Sequence, residues 1–196
     1  LDEKTFNDPY LFRDMSKTVD RIIDAIKNKE RILIYGDYDV DGITSTFILY
    51  QAIKNLGGNV FYDIPNRFID GYGLSTLKAY DIINEGFELV ITVDNGIKSI
   101  KEASIFKDNK VTFIITDHHQ MEDELPDAFS IIHTELSDYP FKPLAGVGVA
   151  FKLIQALIGD DSFEYVDIVA LGTVADMMPL VDENRAIVNL GLRKMA

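Results

Sequence analysis

The chain has 196 residues, 47% of them hydrophobic and 26% charged. That composition fits one folded domain and excludes an intrinsically disordered chain. Cysteine is absent, so disulfides and thiolate metal sites are excluded, and 19 basic residues against 32 acidic ones leave a formal charge of −13. No apolar run reaches the roughly 18 residues that a membrane span needs. The acidic N-terminus has no signal-peptide pattern, and a cytoplasmic location with no membrane partner is expected. Both ends read as cuts through a longer protein. Taken over the whole chain, −13 argues against a nucleic-acid footprint, which should be basic. The acids are clustered in short motifs, however. Clustered carboxylates repel one another, and a divalent cation relieves that repulsion.

In chain order, residues 1–30 read as a helix with polar flanks, because Val19, Ile22, Ile23 and Ile26 recur at helical spacing. The apolar run 31–35 is a buried strand ending at Gly36-Asp37-Tyr38-Asp39-Val40-Asp41-Gly42. A helix is expected over 43–56, stopped by Gly57 and Gly58. Residues 59–65 form a second strand, 71–74 a glycine-rich loop, and Ser75 caps a helix running to Glu85. A third strand, 89–93, ends at Asp94-Asn95-Gly96, and a short helix follows over 99–107. A fourth strand, 111–116, ends at Asp117-His118-His119, and 130–132 is a weak fifth strand. Ala145-Gly146-Val147-Gly148 opens a helix through Ile158. Residues 163–175 form another helix, ending at Asp176, and a last one starts near Asp182 or Glu183. Strands alternating with helices imply an α/β fold with a mainly parallel, doubly wound sheet, followed by a helical C-terminal portion. In such sheets ligands bind beyond the carboxyl ends of the strands. The first, third and fourth strands all end in Asp or Asp-His clusters, which should therefore meet on one edge.

Asp37, Asp39 and Asp41 open like an EF-hand loop, but Ile48 stands where the bidentate acid must be. An aspartyl nucleophile or an acidic turn capping the next helix are the alternatives for this motif alone. Asp94 with Asn95 is an ordinary turn pair when taken alone. His118 and His119 are two of only three histidines. Beside carboxylates, imidazoles suit Mn2+, Fe2+ or Zn2+, with Mg2+ at an all-oxygen site. Asp176 closes a long apolar segment, where a carboxylate needs a partner. His133 lacks acidic neighbours and reads as structural. Gly146 and Gly148 either admit a phosphate to backbone N–H groups or permit close helix packing. Arg67 and Lys142 are the nearest cations, Lys142 reading more readily as surface. Asp37, Asp39, Asp41, Asp94, Asp176 and His118 suffice for two divalent cations sharing a carboxylate. Such a site stabilises both the attacking and the leaving oxygen of a displacement at phosphorus. The residues by themselves lead to a metal-dependent phosphoesterase of open substrate.

These same segments resemble the DHH phosphoesterase superfamily, named for the Asp117-His118-His119 triplet. Within it, the chain is similar to the RecJ-like family of bacterial single-strand-specific exonucleases. The Tyr35 to Thr44 motif, the segment from Arg67 to Leu74, Val93 to Ile97, Thr116 to His119, Leu144 to Lys152 and Ala170 to Asp176 carry the likeness, over about residues 30–190. The resemblance implies a 5′→3′ exonuclease that releases 5′-mononucleotides in DNA recombination and repair, with one or two Mn2+ or Mg2+ ions. It implies metal ligation by Asp37, Asp39, Asp41, Asp94, His118 and Asp176, with Asp94 as the bridge. It places His119 at the scissile phosphate or its leaving group and Asp117 as the group that orients its neighbours; Arg67, Gly146 and Gly148 are expected toward substrate. Single-stranded DNA is the implied partner, with a helicase or a single-strand-binding protein beside it. One departure is Tyr35, where many members carry His. The chain reads as a single catalytic domain whose residues 183–196 begin a connector. The further DHHA1 and OB-type domains, lying outside this sequence, would carry most of the basic surface. The fragment alone is then expected to bind DNA poorly and to be weakly active. Other readings are a phosphodiesterase for cyclic dinucleotides or short oligonucleotides, a pyrophosphatase, and a non-enzymatic scaffold.

Overall fold

The computed structural model describes residues 5–69 and 71–196. The start of the expected N-terminal helix and Asp70 of the 67–74 motif lie outside them. Five parallel strands form one sheet: β1 (Arg31–Tyr35), β2 (Asn59–Asp63), β3 (Leu89–Val93), β4 (Thr112–Thr116) and β5 (Ser130–Ile132), in the order β2-β1-β3-β4-β5. The chain leaves β1 toward β2, then crosses back to β3 on the other side of β1. The crevice at such a reversal is where open α/β sheets bind ligands.

Alternation along the strands builds two cores. Ile32, Ile34, Leu89, Ile91 and Val93 face one side, against α1 (Met15–Lys27), α2 (Val40–Asn55) and α5 (Gly146–Ile158). Leu33, Tyr35, Val90, Phe113 and Ile115 face the other, under α3 (Thr76–Asn84) and α4 (Ile100–Asp108). Burial on both faces explains why the central strands read as unbroken apolar runs. Beyond the sheet, α6 (Val166–Ala175) and α7 (Asp182–Met195) pack on one another, and α6 also lies on α2. Among the described residues no helix is long and apolar enough to cross a membrane.

Four boundaries differ from expectation by two residues or more, each for a local reason. α1 begins only at Met15, and a 3-10 turn over Pro9–Leu11 precedes it, with Pro in the first turn and the Asp8 side chain accepting from Tyr10 N–H. α2 begins at Val40, not 43, because the Asp39 carboxylate accepts from Gly42 N–H and caps the helix earlier. Asp41 thus sits in the first turn of a helix. β2 stops at Asp63, before Pro65, which has no N–H to donate. Residues 163–165 belong to a 3-10 segment, Gly159–Tyr165, and the α-helix starts at Val166.

α5 is buried all round from Gly146 to Ile154, and that includes Lys152. The Lys152 ammonium meets Glu183 Oε1 of α7 at 2.5 Å and also donates to Asn7 O and Gln155 Oε1. The second Glu183 oxygen accepts from Tyr139 Oη and Asn7 Nδ2. Burial pushes the Lys152 pKa down, and the Glu183 charge opposes it. Removing one partner of a buried pair strands the other charge. Glu183→Ala should therefore cost about 3–5 kcal/mol in urea unfolding, whereas the apolar double variant Lys152→Met/Glu183→Leu should lose less than Glu183→Ala does.

Candidate metal centre

The carboxyl ends of β1, β3 and β4 deliver Asp37, Asp94 and Asp117-His118-His119 to one edge. Asp39 and Asp41 follow on the cap and first turn of α2, and Asp176 caps the end of α6. A close approach of α6 to α2 brings Asp176 into range. A Cβ on Gly172 would lie 2.3 Å from Thr44 Oγ1. The Asp94 backbone adopts φ 59°, a left-handed conformation that Asp tolerates better than most residues, and so leaves the strand in a tight turn. The Asn95 amide donates to the carbonyls of Tyr35, Gly36 and Val93, tying the ends of β1 and β3 together.

Three overlapping sets of ligand atoms result, each within 4.8 Å: Asp41, His118 and Asp176; Asp37, Asp39 and Asp94; and Asp94, His118 and His119. All six residues expected as ligands are thus brought together, with Asp94 shared between sets. His118 Nε2 lies 3.0 Å from Asp94 Oδ1, 3.5 Å from Asp41 and 3.8 Å from Asp176. Yet neither His118 Nε2 nor Asp94 Oδ1 makes a hydrogen bond, although both are buried. Buried polar atoms left without partners are costly. Two such atoms facing each other across 3.0 Å, amid carboxylates, fit a divalent cation with mixed oxygen and imidazole ligands.

The surroundings hold this set in place. Asp41 accepts from Gly146 N–H at 2.8 Å and Val147 N–H at 2.7 Å, the first turn of α5. Asp117 is fully engaged. Oδ2 accepts from Ile97 N–H; Oδ1 accepts from the N–H groups of His118 and His119 and from His119 Nδ1 at 2.6 Å. His133 Nδ1 accepts from Glu135 N–H, which leaves Nε2–H to donate to the His119 carbonyl at 2.8 Å. The Tyr72 hydroxyl lies 3.2 Å from both His119 ring nitrogens.

Several expected roles change. Gly146 donates its N–H to Asp41 and is not free for a phosphate. It must be glycine for a different reason, since its Cβ would lie 2.4 Å from Asp94 Oδ1. A Cβ on Gly148 would meet the Leu144 side chain, so this glycine serves helix packing. Lys142 is a structural tie, its ammonium donating to Thr134 O and Ser137 O. Arg67 is exposed at the rim, its guanidinium 5.6 Å from the Tyr38 ring centre. Tyr35, standing in the position of the superfamily His, is buried, and its hydroxyl donates to Gly73 O. It ties the 71–74 loop to the end of β1. Tyr72 and His133 bear on His119 and carried no signal for this in the sequence, since partners 47 and 14 positions apart meet only in the fold.

The electrostatics follow from burial among like charges. Burial, with neighbouring carboxylates, pushes Asp41 up to about 8 and Asp94 up to about 9. Asp37 and Asp176 move up for the same first cause. Burial would raise Asp117 as well, but its hydrogen bond and ion pair with His119 bring it below the usual range. The same bond to Asp117 lifts His119 to about 9. Asp117 therefore favours the protonated form of His119.

Residues 31–173 match the DHH family, N-terminal domain. The chain belongs to the DHH family. It is 47% identical over 192 residues to the single-stranded-DNA-specific exonuclease RecJ of Bacillus subtilis, covering 97% of this chain and 24% of that protein. It is 40% identical over 199 residues to the Escherichia coli RecJ, covering 92% of this chain and 34% of that one. The crystal structure of an exonuclease RecJ bound to manganese superposes with a TM-score of 0.86 at 36% identity, over 93% of this chain and 48% of that chain. The Thermus thermophilus RecJ in complex with Mn2+ gives 0.81 at 34% identity, over 93% of this chain and 27% of that chain. The chain thus spans about a quarter to a third of these curated relatives.

The raised carboxylates set the pH response of the metal-free fold. Between pH 5 and 8 the folded state binds more protons at Asp41 and Asp94 than the unfolded chain, and His119 adds to this above about 6.5. Stability then falls as pH rises. With a chelator present, the melting temperature should drop by roughly 4–8 °C from pH 5 to pH 8, a loss of about 2 kcal/mol. Saturating Mn2+ should remove most of that slope in a calorimetric pH series.

Proposed function

We propose that this chain is the metal-dependent phosphodiesterase domain of a 5′→3′ single-stranded-DNA exonuclease that releases 5′-mononucleotides in DNA recombination and repair. The observation that carries the reading is the convergence of six candidate ligands around His118 Nε2 and Asp94 Oδ1, two buried atoms that make no hydrogen bond. It occurs in a chain 47% identical to a single-stranded-DNA-specific exonuclease. Asp37, Asp39, Asp41, Asp94, His118 and Asp176 would hold one or two Mn2+ or Mg2+ ions, with Asp94 between them. When bound, such ions supply a hydroxide at neutral pH and neutralise charge on the phosphate oxygens.

The remaining chemistry belongs to side chains of this protein. Asp117 fixes the His119 ring through Nδ1 and favours its protonated form, in which Nε2–H is a cationic donor. A cationic donor beside the metals would bind a non-bridging phosphate oxygen and stabilise the charge that builds there. His119 and Asp117 would thus work as one unit. The Asn95 amide and the first turn of α5 keep the acids from relaxing apart before substrate arrives. Arg67 at the rim would meet the nucleic-acid backbone. The 32 acidic residues outnumber the 19 basic ones, so the chain as a whole carries no basic surplus for a nucleic acid. We infer that grip on a long strand comes from domains joined to this one, such as the DHHA1 and OB-type units, with α7 opening the connector toward them.

Titration calorimetry should show Mn2+ binding by the wild type. Asp94→Ala should lose at least one binding event and reduce Mn2+-dependent hydrolysis by at least about 100-fold, the upper range for disturbing a metal site from outside its ligand shell. A 5′-phosphorylated oligonucleotide should yield mononucleotides from its 5′ end. Cleavage confined to dinucleotides, in the wild-type domain and in any longer protein that contains it, would point to the short-oligonucleotide reading instead.

A further inference from the structure

His133 is a buried titratable side chain that the proposed reaction leaves unused. It is 1% exposed and directly follows β5. Both of its ring nitrogens are engaged. Nδ1 accepts from Glu135 N–H at 3.1 Å and caps the 3-10 turn Thr134–Leu136, and Nε2 lies 2.8 Å from the His119 carbonyl oxygen. An accepting Nδ1 leaves the ring proton on Nε2, which donates. A cap needs only the first of these bonds, and a shorter side chain such as asparagine supplies it. The second bond reaches out of the turn to the segment that follows β4.

That segment leaves the sheet just where the chemistry begins. The ladder between β4 and β5 ends with Thr116 against Ile132 and the bond from Asp117 N–H to Ile132 O. Beyond it, the His119 ring and the His119 N–H are both bonded to Asp117 Oδ1, and Asp117 Oδ2 is held by Ile97 N–H. These bonds fix His119 on one side. The His133 bond fixes the other, at the carbonyl. The turn that His133 caps is itself fastened, because the Lys142 ammonium donates to Thr134 O and Ser137 O, and Thr134 Oγ1 donates to Lys142 O. The chain then runs from Lys142 to Gly146, whose N–H seats Asp41. The imidazole is thus a strut between His119 and the segment that carries the seat of Asp41.

Resting on the phosphodiesterase reading above, we propose that His133 is a positioning residue for the reaction: it sets where His119 stands relative to the metal ligands. His119 donates to charge that builds on a phosphate oxygen, so its placement counts most in the transition state. A misplacement of about 1 Å at such a group costs on the order of 100-fold in rate. An interaction of this kind shows in kcat and not in KM.

Two amides separate the two ends of the imidazole. Asparagine places Oδ1 where Nδ1 stands, so His133→Asn keeps the cap but is too short to reach the His119 carbonyl. Glutamine carries its amide N–H to the place of Nε2, so His133→Gln keeps the strut and gives up the cap. With Mn2+ and bis(p-nitrophenyl) phosphate, His133→Asn should lower kcat by about 10- to 100-fold and leave KM within about twofold. His133→Gln should keep kcat within about threefold of the wild type, although its cap is lost. Measured well below both melting temperatures, a histidine that served only the fold would leave kcat unchanged in both variants. Hydrogen exchange supplies a readout independent of catalysis. In metal-free His133→Asn the His118 and His119 N–H groups should exchange about fivefold faster, the share of one hydrogen bond, while Phe113 to Ile115 of β4 keep their rates. In His133→Gln all of these rates should match the wild type. Wild-type kcat or wild-type exchange in His133→Asn, or loss of kcat in a folded His133→Gln protein, would overturn the inference. If His133→Asn does not fold, kcat and exchange in His133→Gln decide. Absence of hydrolysis by the wild type sinks the phosphodiesterase reading, and the exchange rates still decide whether His133 holds His119.

Discussion

The hold of the α5 N-terminus on Asp41 is the contact on which the rest of the structure depends. Five carboxylates within a few ångströms of one another would fly apart in a chain free to move. Asp41 is buried, and both its oxygens accept from the Gly146 and Val147 N–H groups. Those groups are the positive end of a buried helix, where a carboxylate is favoured. The contact is also the seam of the molecule, joining the β1–α2 turn to the C-terminal helices. The Lys152–Glu183 pair lies further along the same helix and fastens it to α7. Position of the helix and position of the acid are thus one constraint.

The two histidines divide the labour through what lies behind them. His118 Nε2 is left open toward Asp94, Asp41 and Asp176, and nothing competes for it. His119 is committed through Nδ1 to Asp117, which raises its affinity for a proton. His133 fixes the intervening backbone. Adjacent residues of one type acquire opposite chemistry because one carboxylate reaches only one of them. Tyr35 acts on the same histidine at one remove. By bonding to the Gly73 carbonyl, it sets the loop that brings Tyr72 over His119.

Net charge misleads about such a protein unless its distribution is known. The acidic surplus includes a block sequestered at the crevice, where Asp37, Asp41, Asp94 and Asp117 are all at most 2% exposed. Acids placed there oppose the approach of a phosphodiester until a cation is bound. An acidic chain is thereby compatible with a nucleic-acid substrate, provided that metal comes first.

The sequence by itself determined the strands, the α/β class and the convergence of the acidic motifs. This was legible because parallel strands buried on both faces need unbroken apolar runs, and because all their carboxyl ends lie on one edge of the sheet. Asp37, Asp94 and His118 could be placed from that rule alone. Helix ends were less legible, as at Val40, where a single side-chain cap moved Asp41 from a loop into a helix. Only the tertiary structure decided which donors answer which acceptors. Gly146 looked like a phosphate cradle and proved to be the seat of Asp41, and Lys142 looked like surface and proved to be a tie. In both cases the partner lies on another segment, and backbone N–H direction and side-chain burial are set by packing that no local pattern encodes.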